Sequence, residues 1–192
     1  MYRAKGKDQG RISFNDLTLP ENLNYIKYTL RNSDEAIKLF EITQAKFEAS
    51  PEIPASIVQK LANRSSMTAK EFDKKLMPRY EYKNMLKAIQ KNVEFLDSKQ
   101  LVDTVFSIGK LHKHHSNAQM VKEFPGFAPY FPYFLKDMMS ESAARMKELS
   151  PVQVAYLSKG LTGVRKLINE INSTAESELR EAIKMHAIAN SG

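Results

Sequence analysis

Four histidines, His112, His114, His115 and His186, are the side chains of this 192-residue chain best suited to proton transfer or metal binding. Three of them stand in Lys110-Leu111-His112-Lys113-His114-His115, at the end of a stretch with helical spacing. A metal site there needs further ligands at helical spacing, and that turn carries no carboxylate. The run therefore reads as a solvated basic helix end, where cations suit the dipole and the side chains stay open to a phosphate. Gly109, Gly160 and Gly163 fall inside helical patterns, so they mark close helix crossings rather than a phosphate loop. The chain has no Walker pattern, no framed Ser-His-Asp grouping and no paired carboxylates in an apolar setting. It has no cysteine, which excludes disulfides, thiolate metal sites and a cysteine nucleophile. No catalytic, cofactor-binding or metal-binding residue is assigned, no small-molecule substrate is expected, and the chain reads as a non-enzyme.

What the chemistry does offer is positive charge. The formal net charge of +7 and a pI near 9.4 favour a polyanionic partner such as RNA, or an acidic protein surface. Arg3, Lys5, Lys7 and Arg11 face Asp8 alone near the start of the chain, with Gly6 and Gly10 between them. Two glycines in so short a span oppose a helix, and residues 1–16 read as an extended basic arm ahead of an α-helical repeat domain over residues 17–192. The candidate phosphate-binding residues are Arg3, Lys5, Lys7, Arg11, Lys110, Lys113, His114, Lys159, Arg165 and Lys166. No apolar run approaches the ~20 residues that a membrane span requires.

Helices must position these cations, and residues 148–171 show how. Ser150 supplies an N-cap oxygen, Pro151 fits the first helical position, and Gln153 can close a capping box. Val154, Leu157, Leu161, Val164, Ile168 and Ile171 then follow in steps of three and four, on one stripe that must be buried. This helix is expected to be the one on which the others pack. Residues 20–30 repeat its opening, with Leu23, Tyr25, Ile26 and Leu30 in the places of Val154, Tyr156, Leu157 and Leu161. Asn32 with Glu35, and Thr68 with Glu71, are further cap pairs. Residues 49–54 read as a proline-bearing turn before a short helix over residues 56–63.

The repetition is clearest over residues 80–111 and 133–164. Tyr82, Met85, Leu86, Val93 and Leu96 in the first copy match Leu135, Met138, Met139, Met146 and Leu149 in the second. Asp97 with Gln100 matches the cap pair Ser150 with Gln153, and Leu101, Ile108 and Leu111 match Val154, Leu161 and Val164. Ile89 opposite Ser142 and Thr104 opposite Leu157 break the pattern. The prediction is an all-α fold, an irregular α-solenoid-like array of helix-turn-helix hairpins with second helices opening at Leu23, Ile57, Leu101 and Val154.

Between the two good hairpins lies FPGFAPYFPYF, residues 124–134. Its prolines and glycine oppose a helix, and its six aromatic rings oppose a free life in water. It reads either as a stacking platform for bases, or as a packed loop or partner-covered patch. The second is favoured because the segment itself holds no lysine or arginine. Phe127, Tyr130, Phe131 and Tyr133 are the candidate partner-binding residues.

Leu149-Ser150-Pro151 followed by residues 154–164, and Leu96-Asp97-Ser98 followed by residues 101–111, resemble the helical repeats of FAST-kinase-like and octotricopeptide-type proteins. The resemblance implies an organellar, RNA-associated setting, mitochondrial in this case. The chain differs from that pattern in its variable repeat lengths and its lack of tryptophan. The expectation is a non-catalytic component of an organellar ribonucleoprotein, a mitochondrial ribosome-associated subunit contacting ribosomal RNA phosphates and neighbouring protein subunits. The alternative is a protein scaffold in a large mitochondrial complex without RNA contact.

Overall fold

A computed structural model describes residues 17–63, 67–168 and 173–190, and these are all-α, with no strand among them. The basic arm, with Arg3, Lys5, Lys7 and Arg11, lies outside the described residues. The helices are α1 (Leu19–Thr29), α2 (Ser33–Thr43), α3 (Glu52–Ala62), α4 (Ala69–Lys75), α5 (Tyr80–Lys91), α6 (Ser98–His112), α7 (Asn117–Glu123), α8 (Phe131–Ala144), α9 (Pro151–Val164) and α10 (Ser173–Ala189). No helix among the described residues is long and apolar enough to cross a membrane.

Capping sets the helix starts. Ser150 Oγ accepts from the Gln153 amide at 3.3 Å, while the Gln153 side chain accepts from the Ser150 amide at 2.8 Å. Asp97 and Gln100 make the same reciprocal pair, at 2.7 and 3.1 Å. Each box satisfies two amides that have no partner within the helix. Asn32 and Thr68 also accept from the amides of Glu35 and Glu71, as the spacing predicts. The consecutive pairs α5–α6 and α8–α9 share a local plan: helix, a 3-10 turn (Val93–Phe95 or Met146–Glu148), a buried leucine (Leu96 or Leu149), a capping box and a second helix.

The expected stripe of α9 is buried at Val154, Leu157, Leu161 and Val164, while Ile171 lies outside the described residues. Removing such side chains from water stabilises the fold by ~1.5–3 kcal/mol each. Helix α6 nevertheless has neighbours on both sides, packing between α3 and α9 as α3 packs between α1 and α6. Its burial of Thr104 and Ser107 as well as Leu101, Val105 and Ile108 follows from that position. Beyond α3 lies α1, and against this row α5 contacts α2 and α8, with α10 on α8.

One correction concerns residues 49–54. The helix α3 begins at Glu52, so Pro54 falls within its first turn rather than in a loop. Proline is tolerated there because an amide in the first turn has no intrahelical acceptor to lose. The α6–α9 crossing is closed by glycine, as the sequence predicts. A Cβ on Gly160 would lie 2.7 Å from Val105 O and 2.8 Å from Phe106 Cα, and Gly109 abuts Gly160 and Gly163 in the same way.

Candidate functional site

Three helices of one row run parallel, and this brings their C-terminal ends to one edge. Gln59 on α3 reaches the Gln100 carbonyl and Thr104 on α6, both at 3.4 Å, and further along the pair Lys110 Nζ lies 3.5 Å from Asn63 Oδ1. On the other side Gly160 sits against Val105 and Phe106, and Gly163 against Gly109. Sequence numbers therefore rise together on all three helices. Lys110, Lys113 and His114 end α6, Arg165 and Lys166 follow α9, and all five side chains are exposed. None of the four lysine and arginine side chains is in an ion pair among the described residues. Each helix end adds partial negative charge from its last carbonyls, which favours cations in these places.

Lys110, Lys113 and His114 also line a recess of about 180 Å³, whose floor includes Leu61 and Phe72. Lys159 is exposed on the outer face of α9, short of the edge, with Nζ 5.9 Å from the Tyr156 ring centroid. The structure thus brings five of the predicted phosphate-binding residues to one edge and leaves Lys159 beside it.

The aromatic segment has a different place. Phe127 and Phe131 belong to the buried core with Phe124 and Phe134, so they are not available to a partner or a base. Tyr130 is half-buried beside Lys87, and of the four predicted contact residues only Tyr133 is exposed, at 52%. Only residues 125–130 form the turn: α8 begins at Phe131 with Pro132 in its first turn, where proline is tolerated. The expectation that the prolines exclude a helix therefore fails for residues 131–134, while the packing of the rings inward matches the packed alternative.

Those rings enclose a polar chain that sequence reasoning missed. Tyr82 Oη lies 2.9 Å from His112 Nε2, and His112 Nδ1 lies 3.3 Å from His115 Nδ1. His115 Nε2 lies 3.0 Å from Asp73 Oδ1, a contact that is poorly aligned for a hydrogen bond. Phe72 meets the His112 ring edge-on, Phe127 stacks on it, and Phe131 is 4.6 Å away between centroids. Burial holds His112 well below the ordinary histidine range, and nearby His115 adds to the effect. Burial pushes the Asp73 carboxyl up, against the opposing pull of His115. Burial likewise raises Tyr82, with a smaller contribution from Asp73, so it stays a phenol.

No family model, curated protein or solved structure matches the chain.

The solvated reading of the His112–His115 turn is therefore corrected in part. Lys113 and His114 are exposed, but His112 and His115 are buried, and the missing carboxylate arrives from α4. The available signal was spacing: His112 lies four residues after Ile108 and His115 seven after it, on the stripe that α6 buries. The groups are strung in line rather than converged on a point, and no metal-holding group of three such ligands occurs among the described residues. Tyr82 and His112 expose 0% of their surface, so no substrate can touch them in this conformation. The Tyr82–His112–His115 part satisfies buried polar groups between α5 and the end of α6, and the His115–Asp73 contact brings α4 against them.

Proposed function

We propose that this protein is a non-catalytic, solenoid-like helical-repeat component of an organellar ribonucleoprotein, binding RNA phosphates through the cationic edge. The observation that carries this reading is the placing of Lys110, Lys113, His114, Arg165 and Lys166 at one edge by parallel α6 and α9, the first three of them lining an open recess. Cations at helix ends that form no ion pair among the described residues are poised for phosphate oxygens, which neutralise them without recognising a base. Arg3, Lys5, Lys7 and Arg11 add a second set of phosphate contacts. The mitochondrial, ribosome-associated setting comes from the resemblance of the repeat openings.

The alternative is a protein scaffold, and exposed apolar side chains favour it: Phe95 and Tyr133 both stand in water. RNA affinity measured at several salt concentrations separates the two readings. The parent chain should bind single-stranded RNA with a steep salt dependence, and the slope should become shallower by about 0.7 for each phosphate contact removed. Replacing Lys110, Lys113, Arg165 and Lys166 with glutamine should flatten it, and so should deleting residues 1–11. Equal slopes in the glutamine variant would remove the edge from the interface. Absence of RNA binding by the parent would overturn the ribonucleoprotein reading in favour of the scaffold.

A further inference from the structure

We infer that the seam between α6 and α9 selects single-stranded over duplex RNA, by stacking a base on the Tyr156–Phe106 pair. This rests on the reading of the chain as an RNA-binding component and names the form of RNA it takes. Tyr156 is 43% exposed on the outer face of α9, and its ring meets Phe106 of α6 edge-to-face, with centroids 5.1 Å apart at 85°. The contact with Phe106 fixes the orientation of the tyrosine ring at the surface.

The glycine crossing makes this seam continuous. Gly160 rests on the backbone of Val105 and Phe106, and Gly163 on that of Gly109, so the two helices touch directly just beyond the ring pair. Cations then follow in order from the ring pair toward the edge. Lys159 Nζ lies over the Tyr156 ring, 5.9 Å from its centroid, where its flexible side chain can give way to a base. Lys110, one turn beyond Phe106, reaches Asn63 of α3 and with Lys113 lines the recess at the edge, and Lys166 follows α9 there. Tyr156 to Lys166 spans roughly 15 Å at helical rise. An aromatic face beside a file of lysines fits a single strand, whose unstacked bases offer their faces while the backbone tracks the charges. A duplex offers phosphates to the lysines but no open base face to the ring. Asp103, the acidic residue nearest the seam on α6, is paired with Lys99 at 2.8 Å and leaves the strip's charge intact.

The test compares a short oligouridylate with an RNA duplex of equal length, using the full chain and the variants Tyr156→Leu and Tyr156→Phe. The parent should bind the single strand more tightly. Tyr156→Leu should weaken single-strand binding about tenfold to a hundredfold, the worth of one stacked base. It should leave duplex affinity and the salt slope unchanged, and Tyr156→Phe should bind like the parent. Ultraviolet cross-linking of the parent to oligouridylate should place adducts at Tyr156 or Phe106, a readout that needs no variant. Unchanged single-strand affinity in Tyr156→Leu, or adducts only elsewhere, overturns the stacking seam while salt-dependent RNA binding by the parent keeps the broader reading. Binding of neither RNA by the parent overturns both.

Discussion

Tyr82 Oη and His112 Nε2 face each other at 2.9 Å inside the protein, and neither residue exposes any surface. Two proton arrangements satisfy the line that continues to His115. Either Tyr82 donates to His112, which donates onward from Nδ1, or His115 donates to His112, which donates to the Tyr82 oxygen. Both require a neutral His112, because a doubly protonated ring would hold an unshared charge among Phe72, Phe127 and Phe131.

A neutral buried histidine ties stability to pH. The folded His112 resists protonation, whereas in the unfolded chain it titrates near its ordinary value of 6.5. Below that value the unfolded state binds the extra proton, so His112 lowers stability as pH falls. The loss is at most about 1.4 kcal/mol per pH unit for one proton. Asp73 acts in the opposite sense: its folded carboxyl is raised above 3.8, so stability from it is present at low pH and lost as pH rises through the folded value. Thermal melts from about pH 7.5 to about pH 5 should show a falling midpoint in the parent. The double variant Tyr82→Phe/His112→Phe, which removes the titrating ring and its partner together, should show a flatter profile. Equal pH profiles in the two chains would remove His112 as the cause.

The two glycine environments make opposite predictions for one added methyl group. At Gly160 a Cβ meets the backbone of α6, which can yield only if the α6–α9 pair separates. Gly160→Ala should destabilise the chain by about 1–3 kcal/mol, the cost of overpacking a closed contact. At Gly126 a Cβ would meet nothing within 4 Å, so Gly126→Ala should change stability by ~0.5 kcal/mol or less. Urea unfolding of both variants checks the contrast, and equal midpoints would show that the crossing is looser than the structure has it.

These two sites differ in how far the sequence reveals them. The capping boxes at Asp97 and Ser150 and the stripe from Val154 to Val164 are local, set by spacing of three and four, and the structure has them as read. The glycines were legible for a related reason: a small residue inside an apolar helix has few uses other than close approach. The Asp73–His115 contact joins residues on different helices, and no local pattern reports which carboxylate will meet which ring. The aromatic segment carried both a stacking reading and a packing one, and only the fold around it decides that Phe127 and Phe131 turn inward. The short helix α7 escaped because about two turns give too few apolar positions to show a period.

A repeated joint between hairpins gives the third prediction. The Arg145 guanidinium crosses from the α8 hairpin to the preceding one, where it donates to the carbonyls of Leu96, of Glu94 at 2.7 Å and of Val93 at 3.5 Å. Glu141 holds it from the other side through Nε at 2.5 Å. One hairpin further on, His186 Nε2 of α10 reaches the carbonyl of Leu149 at 2.8 Å, and Leu149 occupies the place of Leu96 in its own hairpin. Both joints satisfy a carbonyl that the helix-breaking turn before the capping box leaves open. Arg145→Met keeps the length of the side chain and removes the donors, so it should cost about 1–3 kcal/mol. Arg145→Lys should recover little, since an ammonium cannot span the carbonyls that the planar fork reaches together. His186→Phe should cost less, because it deletes one hydrogen bond where Arg145→Met deletes several. The two sites share no partner, so the losses in Arg145→Met/His186→Phe should add to within about 0.5 kcal/mol. Urea midpoints of the single and double variants measure this directly. A double variant no less stable than Arg145→Met alone would mean that the α10 joint carries no share of the stability.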